Sequence, residues 1–204
     1  MGLTGIFLLS FLCIHLYVNL FLLKSDNGGT YDAYAEFLAD YPLVRPIEIV
    51  LFLGFLTHSF IGCILWFTNW RVRPRAYAVD NTGAATTLAS RFAIVTGAAV
   101  LVFLVYHIDT FFMQSRFLGT GKTMTQLVTD AFSRPWVVGF YFLALFFLGY
   151  HLKHGFQSAF QTYGLRHQKY KGLIDILAIL FWLIIPVCFA VIPAYFYWVH
   201  LGGI

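Results

Sequence analysis

Apolar positions come in five long runs, separated by four polar or mixed stretches. The runs cover about 2–23, 46–69, 92–113, 136–157 and 173–199. Each supplies the roughly 20 apolar residues that a helix needs to cross the hydrocarbon core of a bilayer. The pattern predicts an all-α integral membrane bundle of five helices, a single domain over residues 1–204. The intervening stretches run to only about twenty residues, which leaves no room for a soluble catalytic domain. Two of them carry apolar residues at helical spacing, over 31–38 and over 124–132. Both predict short amphipathic helices on the membrane surface.

Composition agrees with this pattern. The chain is 60% hydrophobic, 20% aromatic and 11% charged, with mean hydropathy +0.77. The net charge of +4 lies in the loops, so it speaks to orientation and not to nucleic-acid binding. The stretch at 70–91 holds Arg71, Arg73, Arg75 and Arg91 against Asp80, and that at 153–172 holds Lys153, Arg166, Lys169 and Lys171. The stretch at 24–45 sets Lys24 and Arg45 against four acids, and that at 114–135 is intermediate. The positive-inside rule places the first two in the cytoplasm, with the N-terminus inside and the C-terminus outside. A basic leader is the usual inner anchor, so the natural chain is expected to extend before Met1. Cys13, Cys63 and Cys188 all fall in apolar runs, with no disulfide or zinc spacing.

Four of the five runs each hold a histidine in their interior: His15, His58, His107 and His151. An ionisable residue inside a membrane is a functional hypothesis by default. A neutral imidazole between helices is also the form of an axial ligand to haem iron. The four belong to an internal repeat. Thr4-Gly5 precedes His15 by the offset at which Thr96-Gly97 precedes His107. Pro42 lies 16 residues before His58, as Pro135 does before His151, and Gly62 and Gly155 follow those histidines by four. The pattern T-G-x9-H-x26/27-P-x15-H-x3-G thus occurs twice. Each copy is a two-helix hairpin starting on the same side, so the repeats are parallel, with a pseudo-twofold axis along the membrane normal and a fifth helix outside the repeat.

Depth pairs the histidines. At 1.5 Å of rise per residue, His107 lies roughly 22 Å from the inner end of its helix, and His151 roughly 22 Å from the outer end of its own. The repeat gives His15 the depth of His107 and His58 the depth of His151. The expected pairs are His15 with His107 (outer) and His58 with His151 (inner), each bracketing a b-type haem. Gly62, Gly155 and Gly54 lie one turn from the inner ligands and offer a flat macrocycle access to helix backbones; close helix packing is the alternative use of such residues. His154 competes with His151, but the Gly155 offset favours His151. His154 is then an inner-interface residue, beside a propionate or snorkelling. Propionate candidates are Arg91, Arg71 and Lys153 inside, and Arg45, Asn19 and Arg116 outside; topology or headgroup contact is the competing reading. Glu48 lies ten residues before His58 near the outer end of its helix. It is a candidate proton donor to a reducible ligand near the outer haem, or simply an ion-pair partner of Arg45. Asp109 and Asp175 are expected at the interface.

These residues also resemble a known family. The segments are L-T-G-I-F-L at 3–8 with C-I-H at 13–15, E-I-V-L-F-L-G-F-L-T-H-S-F-I-G at 48–62, S-R-F-x3-T-G at 90–97, V-Y-H at 105–107 and H-L-K-H-G-F-Q-S-A-F-Q at 151–161. Together they resemble the diheme cytochrome b anchor of succinate dehydrogenase and quinol:fumarate reductase, in its five-helix, single-anchor form. The resemblance implies two haem b groups and cytoplasmic FAD-containing flavoprotein and iron–sulfur partners. It also implies a quinone site near the outer haem, usually for menaquinone, and a bacterial cytoplasmic (inner) membrane location, with higher oligomers of the complex possible. Succinate oxidation is the expected activity, with fumarate reduction the alternative. Rival readings are the cytochrome b subunit of another quinone-linked dehydrogenase, a histidine-lined transporter and a non-haem di-iron enzyme. The last would need histidine boxes denser than His151-x-x-His154.

Overall fold

The structure, a computed structural model, describes residues 1–71, 92–165 and 168–202. Five helices among these residues are long and apolar enough to cross a membrane: α1 (Gly2–Leu23), α3 (Val44–Arg71), α4 (Ala93–Arg116), α6 (Pro135–Thr162) and α7 (Lys171–His200). Two short helices, α2 (Gly29–Asp40) and α5 (Met124–Phe132), join α1 to α3 and α4 to α6. Both short helices lie at one end of the bundle, the end that loop charge assigns to the outside. That end is called outer below. Among the described residues every regular element is helical and none is a strand, as expected.

Local chemistry explains where these helices start. Pro135 occupies the first turn of α6, where its missing N–H costs nothing. At α5, Thr123 accepts from the Gln126 amide at 3.3 Å, and the Gln126 side chain accepts from the Thr123 amide at 3.0 Å, a reciprocal capping box. Ahead of α2, the Asp26 carboxylate accepts from the Gly28 amide at 3.2 Å, the Thr30 amide at 2.9 Å and the Thr30 hydroxyl. Gly28 has φ 83°, and a Cβ there would sit 2.3 Å from the Thr125 hydroxyl oxygen. Only glycine permits that turn and that approach of α2 to α5. The two short helices are locked by the Thr125 amide donating to Asp32 at 2.8 Å.

The core is concentrated at the outer end. Tyr31 of α2 and Leu127, Val128, Ala131 and Phe132 of α5 are buried with Val137, Val138 and Tyr141 of α6. A second, smaller cluster at the inner end contains Phe156, Ile174 and Ala178. Among the spanning helices α6 is central. Its equivalent in the first repeat, α3, buries no residue and turns Ile49, Leu53, Leu56 and Phe60 outward.

Two spanning helices carry π-helical turns: Ile108–Met113 in α4 and Leu180–Ile184 in α7. The second serves packing. A Cβ on Gly149 would lie 2.7 Å from the Trp182 carbonyl oxygen, so α6 and α7 meet backbone to backbone there.

The predicted spans hold, and several run longer. The apolar run of α6 was expected to end near 157, with Lys153 in a loop, but the helix continues to Thr162. Once a helix leaves the hydrocarbon, polar residues such as Gln157 and Gln161 suit it well, so hydropathy does not read its end. For the same reason α3 starts at Val44 and α4 reaches Arg116.

Candidate functional site

The four histidines meet in two pairs at two levels of the bundle. The His15 and His107 rings have centroids 5.7 Å apart and planes at 90°. The His58 and His151 rings have centroids 6.1 Å apart and planes at 78°. The partners come from different hairpins, α1 with α4 and α3 with α6. Within each pair one member is the repeat equivalent of the other, as a twofold axis between the hairpins requires. Glycine contacts obey the same symmetry: a Cβ on Gly5 would lie 3.7 Å from His58 Cε1, and one on Gly97 would lie 3.3 Å from His151 Cε1.

The glycines nearest the inner pair are therefore Gly5 and Gly97, not the expected ones. Gly62 faces the Met1 side chain, Gly54 faces Phe7 and Gly155 faces open space. Proximity along one helix was the wrong guide. The neighbouring helix supplies the close approach, because a ring reaches across to the facing backbone.

The rings are held differently at the two levels. At the outer level, Asn19 Nδ2 lies 3.3 Å from His15 Nδ1 and donates to the His15 carbonyl at 2.8 Å. Asn19 Oδ1 accepts from the Tyr31 hydroxyl at 3.4 Å. Burial first, and the Asp32 charge second, push the Tyr31 phenol up to about 12, so it stays a donor. His107 Nδ1 lies 3.0 Å from the Tyr141 hydroxyl. Phe11 and Phe189 flank His15, and Phe103 and Phe111 flank His107. At the inner level, His58 Nδ1 lies 3.1 Å from the Thr4 hydroxyl. That hydroxyl donates to the Met1 carbonyl, so a lone pair is left for an imidazole N–H. His151 Nδ1 is buried without a hydrogen bond; the Ala93 backbone is near but outside bonding geometry. Thr96, the repeat equivalent of Thr4, spends its hydroxyl on the Phe92 and Ala93 carbonyls.

These pairs fit haem iron. Two metal–nitrogen bonds of about 2 Å each, plus half a ring on either side, put imidazole centroids about 6 Å apart. Both pairs have that spacing. Among the described residues no three His, Cys, Asp or Glu side chains gather into a metal site. A pair with no third protein ligand beside it suits an iron whose other four positions come from a macrocycle. It does not suit a di-iron centre built from protein ligands.

Glu48 is where the ion-pair reading placed it, and it also has an unforeseen partner. Its carboxylate accepts from Arg45 at 3.2 Å and from Arg116 at 2.7 Å. The second bond joins α3 to the outer end of α4. A cleft of about 250 Å³ opens beside it, lined by Arg45, Glu48, Ile49, Phe52, Phe112 and Phe117. Ile49 and Phe117 are exposed, so the cleft opens on the lipid-facing side.

The propionate candidates divide. Asn19 lies against His15, whereas Arg45 and Arg116 are engaged by Glu48. The Lys153 ammonium lies 4.6 Å from the Trp182 ring centre. His154 is half-buried on α6 and Arg71 is exposed at the end of α3. Arg91 lies outside the described residues, as do Arg166 and His167. Sequence reasoning missed Tyr141, which no motif marks, and left Thr4 without a role although the repeat had singled it out.

A family model described as "Succinate dehydrogenase/Fumarate reductase transmembrane subunit" matches residues 72–187, more than half of the chain. The match takes in α4, α5, α6 and most of α7, and with them His107 and His151. No curated protein and no solved structure matches the chain.

Proposed function

The chain belongs to the succinate dehydrogenase/fumarate reductase transmembrane subunit family, and from that premise we propose that it is the diheme anchor of a succinate:menaquinone oxidoreductase. It is a multi-pass membrane protein. In this reading His58 and His151 hold the inner haem and His15 and His107 the outer one. When bound, the two haems supply one-electron transfer between an iron–sulfur partner at the inner end and quinone at the outer end. The observation that carries the reading is the meeting of four imidazoles as two facing pairs at two levels.

The chain's own residues would do the rest. The imidazoles bind and orient the cofactor, and the apolar bundle keeps water from it. Basic residues at the inner end, Arg71 and Lys153 among them, face the FAD-containing flavoprotein and its iron–sulfur partner. At the outer end the Glu48 cleft takes the quinone ring. At about 250 Å³ the cleft falls just below the usual range of ligand pockets, about 300–1,000 Å³: it takes the ring alone, and an isoprenoid tail leaves through the open side into lipid. The Glu48 carboxyl passes a proton between outer water and the quinone oxygen, while Arg116 and Arg45 fix its position. The same geometry serves quinol oxidation by a fumarate reductase, with the proton moving the other way.

A redox difference spectrum with pyridine-haem quantitation of the purified complex tests this. Two low-spin b-type haems per chain are expected. A complex without a Soret band would overturn the reading in favour of a histidine-lined transporter.

A further inference from the structure

We infer that Tyr141 is a positioning residue of the outer pair, fixing the His107 ring through its Nδ1 atom and tying that ring to the outer surface helices. Asn19, braced by Tyr31, meets His15 Nδ1 with its amide nitrogen, a donor, so it packs against that ring without accepting from it. The inference rests on the reading of the four histidines as iron ligands.

A neutral imidazole that gives one nitrogen to a metal carries its proton on the other. In an apolar interior that N–H needs an acceptor, and the acceptor sets both the orientation and the basicity of the ring. Tyr141 Oη, 3.0 Å from His107 Nδ1, is such an acceptor. It cannot swing away. The Tyr141 ring is 6% exposed and is met edge-on by Phe103 of α4 and Phe132 of α5, each at 4.9 Å. Phe132 is itself 4% exposed and lies against Phe111. A continuous contact therefore runs from α5 at the outer surface, through Phe132 and Tyr141, to His107. A second runs from α2, through Tyr31 and Asn19, to His15.

The repeat does not explain these contacts. Tyr141 lies six residues after Pro135, and the residue six after Pro42 is Glu48. Glu48 turns instead to Arg45 and Arg116. The equivalent of Asn19 is Phe111, which packs on His107 as a ring. Each copy has thus reached an Nδ1 contact by its own side chain, while the ligand positions stayed symmetric. Among the described residues the inner pair is not wired this way, since Thr4 is its one side-chain partner and His151 Nδ1 has no hydrogen bond.

The test is Tyr141→Phe in the whole complex, which removes the hydroxyl and keeps the ring packed. Potentiometric titration and electron paramagnetic resonance report each haem separately, assigned with variants that lack one haem. Losing an acceptor makes His107 a weaker donor and favours the reduced iron. The expected result is two haems per chain, the inner unchanged, and an outer reduction equilibrium constant raised about fivefold, the size of one ordinary hydrogen bond. Thr4→Val should alter the inner signal alone. Selective loss of the outer haem in Tyr141→Phe would also support the role. An outer haem unchanged in potential and spectrum, or equal changes in both haems, would overturn it. A wild-type complex without haem would instead overturn the underlying reading.

Discussion

The outer and inner imidazole pairs are related by the same repeat but live in different surroundings. At the outer level both Nδ1 atoms meet a side chain, four phenylalanines flank the rings, and two interlocked surface helices lie above. At the inner level, among the described residues, one Nδ1 meets Thr4 and the other has no hydrogen bond, with the backbone at Gly5 and Gly97 close against the rings. The repeat decides where the imidazoles stand, since that depends on helix length and on the spacing of a few residues. How firmly they stand depends on the residues between, and there the copies have diverged. The end expected to face the soluble partners is the one with the thinner shell.

The comparison breaks most visibly if ligands are removed. His58→Ala should leave one haem per chain with the outer spectrum, and His107→Ala one with the inner spectrum, read by pyridine-haem content. Retention of both haems in either variant would dissolve the pairing. Packing comes next. Phe132→Ala, in the outer core, should cost about 3 kcal/mol, typical of a buried phenylalanine, read as lost thermal stability of the complex. Phe156→Ala, in the smaller inner cluster, should cost less, and equal losses would mean the two ends are packed alike. Glu48→Gln should slow quinone turnover about tenfold, modest for a proton-transfer group, with both haems in place; unchanged turnover removes Glu48 from that role. The smallest effect lies at the start of α2. The Thr30 hydroxyl, the Thr30 and Gly28 amides and nearby Lys24 hold the Asp26 carboxyl below its ordinary range. Its contribution is therefore present above the ordinary carboxylate value and is lost as pH falls through the lower folded value. The protection factor of the Thr30 amide, exchange relative to the intrinsic rate at each pH, should fall in acid in the wild type, and Asp26→Asn should flatten that dependence.

Much of this was legible in the sequence, for identifiable reasons. The spans follow from hydropathy and α5 from apolar spacing, while the capping pair Thr123 and Gln126 went unread. The histidine pairs follow from the repeat and helix rise. Tyr141 was hidden because a tyrosine in an aromatic-rich helix carries no mark of its partner. Gly5 and Gly97 were noted for the wrong reason, because their neighbours lie on helices far away in sequence. Arg116 stood as a propionate candidate. Its bond to Glu48 spans 68 positions and depends on a helix irregularity that leaves no compositional trace.

That irregularity has a consequence for insertions and deletions. The π-helical turn Ile108–Met113 begins at the residue after His107. Such a turn holds one residue more than regular α-helical winding would. Deleting a single residue within it would leave His107 and everything before it in place. The turn would close to regular α-helical winding, so Arg116 would also keep the face that meets Glu48, whereas the same deletion in a regular stretch would turn everything beyond it by about 100°. The ligand and the cleft are thus joined by a length of helix that absorbs the loss of one codon without turning either off its face.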